Sequence, residues 1–173
     1  MVRTFMLAAA ATATAWAIAS SGHAQPSQIP TPDFIRNAAA TDAFEIRAGK
    51  IAEMRGLTQP VKDFGAMMTM DHAKTTAGLK KAIHAADLPA PGPVVLTPAQ
   101  KQMLKDLNTV PPGGFDRMYI KDQIEVHQQA LTLMQGYAHG GEIPILREAA
   151  TSTVPVVQAH LAKAQEIQKT FPK

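Results

Sequence analysis

Apolar residues recur at spacings of three and four through most of this chain. That is the period of helices burying one face. Four long segments carry the pattern. The first opens near Asp33, an expected N-cap, and runs to about Arg55. The second starts at Thr58-Gln59-Pro60 and runs to about Asp87. The third spans Phe115 to about Ala138, where His139-Gly140-Gly141 is expected to stop it with a left-handed glycine. The fourth opens or kinks at Pro155 and runs to about Thr170. Two short helices are expected as well, from Thr97-Pro98 to Asn108 and from Ile145 to Ala150. Leu88-Pro89-Ala90-Pro91-Gly92-Pro93 cannot be helical and reads as a rigid connector. Pro111-Pro112-Gly113-Gly114 is the next break. No useful stretch alternates with period two, so no sheet is expected. The pattern predicts an all-α four-helix bundle with two additional short helices and a proline-rich crossover.

The first residues follow a different rule. Arg3 precedes an apolar run from Phe5 to Ala19, and Gly22-His23-Ala24 fits a small-x-small cleavage pattern. Residues 1–24 therefore read as a signal peptide, cleaved after Ala24, and 25–32 as a flexible polar lead-in. The run is short of the ~20 residues of a membrane span, so no transmembrane segment is expected after signal removal. An uncleaved anchor is the alternative. Residues 33–173 would form the bundle, working in the periplasm. The chain has no cysteine. Disulfides, thiol catalysis and cysteine-type zinc sites are excluded, and so is lipoprotein acylation. Without Arg3 the net charge falls from +3 to +2. The basic residues are scattered, and nothing resembles the basic patch or stacking aromatics of a nucleic-acid-binding surface.

The chemistry lies inside the stripes. In the second helix, Val61, Phe64, Met68, His72, Thr76, Leu79 and Ile83 share one face, with His72 where an apolar residue is expected. Ile120, Ile124, His127, Leu131 and Met134 repeat this in the third long helix. Val157, His160, Ala164, Ile167 and Phe171 do so in the last. In the first, Glu45 faces a seam of Ala38, Ala48 and Ala52. One ionisable residue per long helix, each near the middle, gives a candidate metal set of Glu45, His72, His127 and His160. Imidazole and carboxylate suit zinc, iron, manganese or copper. Asp71, Tyr119, Asp122 and Glu125 are candidate hydrogen-bond partners of those ligands. A di-iron centre needs Glu-x-x-His pairs, but Thr69, Ile124 and Val157 stand three residues before the histidines. Met67, Met68 and Met70 precede His72; thioethers suit copper(I), but the three point to different sides, which favours core filling. His84 and His139 are expected in solvent. No Gly-x-Ser-x-Gly elbow or phosphate loop points to an enzyme.

Several spaced motifs resemble the bacterial "domain of unknown function 4142" family, whose members are often labelled predicted outer-membrane proteins. They are Asp33-Phe34, Asp42-Ala43-Phe44-Glu45-Ile46-Arg47-Ala48-Gly49, Val61-Lys62-Asp63-Phe64-Gly65, Met70-Asp71-His72 with Thr75-Thr76, Phe115-Asp116-Arg117-Met118-Tyr119, His127-Gln128-Gln129-Ala130-Leu131, and Pro155 with His160-Leu161 and Ala164. The resemblance covers about residues 33–168. It implies a ferritin-like bundle in an exported protein and no established activity. It brings forward Glu45, Asp71, His72, Asp116, Tyr119, His127 and His160. A spanning barrel needs alternating strands, so a periplasmic or membrane-peripheral location fits this helical pattern better than an outer-membrane one.

Three readings follow. One is a bundle binding a single transition metal. Another is a cell-envelope binding or structural module, its partner unspecified, whose histidines are core hydrogen-bonders. The last is a pH sensor. Donor atoms within ~4–5 Å of a common point would favour the metal, whose bonds to nitrogen and oxygen are ~2.0–2.2 Å.

Overall fold

The computed structural model describes residues 29–172. The signal peptide, its cleavage point and residues 25–28 of the lead-in lie outside the described residues. Five helices follow in order: α1 (Thr31–Arg55), α2 (Gln59–Ala85), α3 (Pro98–Thr109), α4 (Pro112–Gly140) and α5 (Pro144–Lys169). No strand occurs among the described residues.

The four long helices form the expected bundle. α1 pairs with α2 and α4 with α5 as two helical hairpins; α2 also packs on α5, and α1 on α4. The backbone amides of Leu57 and Thr58 donate to Asp116 at 2.8 and 3.0 Å. The α1–α2 turn therefore sits beside the start of α4. At the opposite end Thr31 and Tyr137 hydroxyls hydrogen-bond at 2.7 Å, joining the start of α1 to the end of α4. Neighbouring helices are thus antiparallel, while α2 and α4 run the same way. The connector and α3 carry the chain back along the bundle between them.

Local chemistry sets the boundaries. Thr97 and Gln100 form a reciprocal capping box at the start of α3. Prolines occupy the first turn of every helix, where their missing N–H costs no intrahelical bond. This is why α4 begins at Pro112 and takes Gly113-Gly114 into its first turn. It is also why α1 begins at Thr31, leaving Asp33 in the first turn to pair with Arg36 at 2.8 Å.

Two expectations are corrected. The short helix at 145–150 and the last helix are one continuous α5, so α3 is the only short helix among the described residues. Pro155 removes the amide that would bond the Thr151 carbonyl. Both residues are exposed, so the Thr151 carbonyl is free to accept from solvent water instead of that amide. Hydroxyls of Thr151, Ser152 and Thr153 bond carbonyls one turn back, each at 2.8 Å. The stop after α4 is not a left-handed glycine either. Gly141 is extended, with φ −63° and ψ 146°. It must be glycine because a Cβ there would run into the Tyr137 ring.

The hydrophobic core has two parts. One contains Phe44, Val61, Phe64, Met68, Leu107, Phe115, Tyr119 and Ile120. The other contains Phe34, Ile83, Met134, Tyr137 and Leu146. At the first end Arg55 ties α1 to α3 and α4: its guanidinium donates to the Leu107 and Val110 carbonyls and lies over the Phe115 ring at 5.4 Å. Between the two parts lies a layer of buried polar side chains. Helices α1 and α2 approach closely nearby, at Gly49 and Gly65. A Cβ on Gly49 would lie 2.6 Å from the Gly65 carbonyl oxygen, and one on Gly65 2.7 Å from that of Gly49.

This crossing should tolerate no added methyl. Gly49→Ala is expected to destabilise the fold by about 1–3 kcal/mol. Gly78→Ala, with open space around its Cβ position, should raise stability by ~0.5–1 kcal/mol through better helix propensity. Thermal melts of the two variants check the pair.

Candidate metal centre

His72 on α2, His127 on α4 and His160 on α5 meet in the polar layer. Their ring centroids are 5.4, 5.5 and 5.7 Å apart, and one nitrogen from each lies within 4.8 Å of the others. All three side chains are buried.

The outer nitrogen of each ring is held by an acceptor. His72 Nδ1 is 2.8 Å from Asp42 Oδ1. His127 Nδ1 is 2.8 Å from the Gln123 carbonyl, one turn back on α4. His160 Nε2 is 3.2 Å from Asp71 Oδ2. Carboxylates and carbonyls only accept, so each of these nitrogens carries the hydrogen. In the neutral rings the inner nitrogens are then bare lone pairs: His72 Nε2, His127 Nε2 and His160 Nδ1. His72 Nε2 has no hydrogen-bond partner among the described residues. His127 Nε2 and His160 Nδ1 face each other at 3.4 Å, with no donor between them. Two nitrogens bound ~2.0–2.1 Å from one tetrahedral ion would be ~3.3 Å apart. That pair already has the spacing, and a shift of up to ~1.5 Å would bring in the third. The donor set fits a transition metal held by three imidazoles with an open fourth position.

The electrostatics favour free lone pairs on two of the rings. Burial, then the nearby His72 and His160 rings, pull His127 down to a pKa of about 3. Burial also lowers His160, against the opposing effect of its hydrogen bond to Asp71. His72 differs. Burial pulls it down, but the Asp42 hydrogen bond and the charges of Glu45, Asp42 and Asp71 outweigh this and leave it raised.

Asp42 anchors the layer. Besides His72 it accepts from Thr75 Oγ1 at 2.8 Å and Thr76 Oγ1 at 2.9 Å, tying α1 to α2. Asp71 accepts from Lys74 at 2.9 Å as well as from His160.

Glu45 is buried in the same layer but stands apart from the trio. Its Oε1 lies 3.6 Å from His127 Nδ1, the nitrogen that already donates to Gln123. Its Oε2 accepts from the Gln123 amide at 2.7 Å. Glu45 thus backs His127 rather than facing its lone pair. Burial, partly offset by His72 and Gln123, raises its pKa to about 7.

The other candidates lie elsewhere. Asp116 accepts the Leu57 and Thr58 amides and the Thr58 hydroxyl, at 2.7 Å for the last; it fixes the α1–α2 turn. Tyr119 is buried in the core above the site, its hydroxyl unpartnered among the described residues. Asp122 lines a groove with Met103 and Asp106 of α3. Glu125 is exposed and accepts from Gln129 at 3.3 Å. Met68 is core, Met70 is 60% exposed, and His84 and His139 are exposed, as expected. Asp42 and Gln123 were not singled out as site residues from the sequence. The available signals were the Asp42 spacing of three from Glu45, and the Gln123 position one turn before His127.

Architecture and site together define a four-helix bundle with a buried three-histidine centre. Residues 16–167 match the family described as domain of unknown function (DUF4142). The chain belongs to that family. A comparison with curated proteins finds no match. Two solved structures are similar in fold. One is CopM in the Cu(II)-bound form: TM-score 0.69, 17% identity, 82% of this chain and 97% of that one covered. The other is a DUF305 fragment from Deinococcus radiodurans: TM-score 0.69, 14% identity, 84% and 100% covered. Among the described residues no helix is long and apolar enough to cross a membrane.

The placement of Asp122 has a pH signature. Burial, with Glu125 and Asp106 nearby, raises its pKa from 3.8 to about 6 against the pull of Lys121. The folded state therefore disfavours its charged form, and stability is lost as pH rises from about 4 to about 6. Asp122→Asn should melt above the wild type at pH 8, with the advantage vanishing at pH 3.5. Melting curves at the two pH values read this directly.

Proposed function

We propose that this protein is an exported, periplasmic helical bundle that binds one transition-metal ion through His72, His127 and His160. The carrying observation is the convergence of three buried imidazole lone pairs, each aimed inward by an acceptor on its outer nitrogen. Ligating histidines are oriented in this way by carboxylate or carbonyl partners. Glu45 behind His127, Asp42 behind His72 and Asp71 behind His160 offset the ion's charge. Nitrogen donors and an open position suit zinc or copper(II). The shared fold with CopM in its Cu(II)-bound form makes copper(II) the first ion to test. Export rests on the pattern of residues 1–24.

One competing occupant is a proton: His72 Nε2 has no hydrogen-bond partner among the described residues, and the Asp42 hydrogen bond with the nearby carboxylates raises the ring's pKa. The two readings part on metal titration. Protein purified without a His tag should bind one equivalent of copper(II) or zinc and melt higher with it, by up to ~4 kcal/mol of stability at a thousandfold excess over Kd. His72→Ala and His127→Ala should each weaken binding by more than ~100-fold. Sub-stoichiometric metal in the wild type, unchanged on adding zinc, iron, manganese or copper, would sink the metal reading and leave the proton.

A further inference from the structure

The buried carboxylates of this fold are met by donors, with one exception. Asp42 accepts from Thr75, Thr76 and His72, Asp116 from Leu57 and Thr58, and Glu45 from Gln123. Asp122 is just as buried, at 8% exposed, and has charges near it but no hydrogen bond among the described residues. A buried carboxylate without a partner opposes folding at neutral pH, and nothing in the packing requires one here.

Asp122 faces a groove of about 420 Å³ between α3 and the first half of α4. Each helix presents a thioether and a carboxylate to it. Met103 and Asp106 are three residues apart on α3, and Met118 and Asp122 are four apart on α4, so each pair shares one helix face. Both methionines are half-buried and pack on the core below. Asp106 accepts from Gln102 at 2.7 Å through one oxygen. Two basic residues also border the groove. Lys121 is exposed and acts on Asp122 only from a distance. Arg117 is committed elsewhere: its guanidinium donates to the Pro172 carbonyl and lies 5.6 Å from the centre of the Phe171 ring.

An unmet anion at the floor, a second carboxylate on one wall and apolar thioether sides suit a cation with an alkyl body. A hard divalent ion needs ~6–8 oxygens, more than two carboxylates supply. Among the described residues, the cluster of three with metal-ligand spacing is the histidine trio and not this one. An ammonium group needs only acceptors, and its methylenes pack well on methionine.

We propose that this groove is a second binding site, independent of the metal centre, for a small primary alkylamine: Asp122 accepts from the ammonium, Asp106 draws it in, and the chain lies between Met103 and Met118. Asp122 is then a group kept for binding at a cost in stability. Burial, with Glu125 on α4 and Asp106 on α3, raises its pKa to about 6 against the pull of Lys121. An ammonium favours the charged carboxylate, so affinity is full above about pH 7 and weakens as pH falls through about 6.

Titration of the metal-free, untagged protein with butylamine, followed by NMR at the methyl groups of Met103 and Met118, tests this. Both methyls should shift saturably, with Kd in the millimolar range or tighter. Butanol, of the same shape but uncharged, should leave them in place. Affinity at pH 5 should be ~10-fold below that at pH 7.5. Asp122→Asn, expected to fold more stably than the wild type at neutral pH, should bind more than ~10-fold more weakly. Asp33→Asn, on an exposed carboxylate paired with Arg36, should bind as the wild type does. The absence of a saturable shift, an equal response to butanol or magnesium, or unweakened binding by Asp122→Asn would each overturn the site.

Discussion

Three imidazole N–H groups must each find an acceptor, and all three find it on the side facing away from the others. The rest of this structure is arranged around that constraint. Once Asp42, the Gln123 carbonyl and Asp71 have taken the outer hydrogens, the inner nitrogens of the three rings are left facing one another in a desolvated core. In a metal-free bundle this is costly, because buried polar atoms without partners forfeit their hydration. The apolar clusters on either side seal the layer, and the close approach at Gly49 and Gly65 draws α1 against α2, the pair that Asp42 and His72 join. The packing thus serves the polar layer as much as the reverse.

The bundle was legible because proline marks nearly every helix start and the stripes keep their period. The errors have a common origin: punctuation read without its surroundings. Pro155 breaks a helix only where the freed carbonyl is buried, and Thr151 is in solvent. Gly141 answers to the ring of Tyr137 rather than to a left-handed backbone.

In the site, the three histidines were visible because each interrupts an apolar face. Their partners were harder. Glu125 precedes His127 by two residues, about 200° around a helix, so it points away. Asp116 lies eleven residues before His127, about 16 Å along the axis, at another depth. Closeness in sequence was a poor guide on both counts. Asp42 acts from a different helix, and Gln123 supports His127 through its backbone carbonyl, which no residue type encodes. Glu45 was correctly placed in the core, but which edge of His127 it meets depends on packing.

The three nitrogens come from both halves of the molecule. His72 belongs to the hairpin of α1 and α2, while His127 and His160 belong to that of α4 and α5, and the peptide link between the halves is the long crossover through α3. An ion held by all three would be a bond between the hairpins that ignores chain order. It would do the work of a cross-link in a chain without cysteine, and hold two separately made halves as one particle after a cut in the connector. Seen this way, the site is a clasp, and the proline-rich crossover is the tether that keeps its two sides near enough to close.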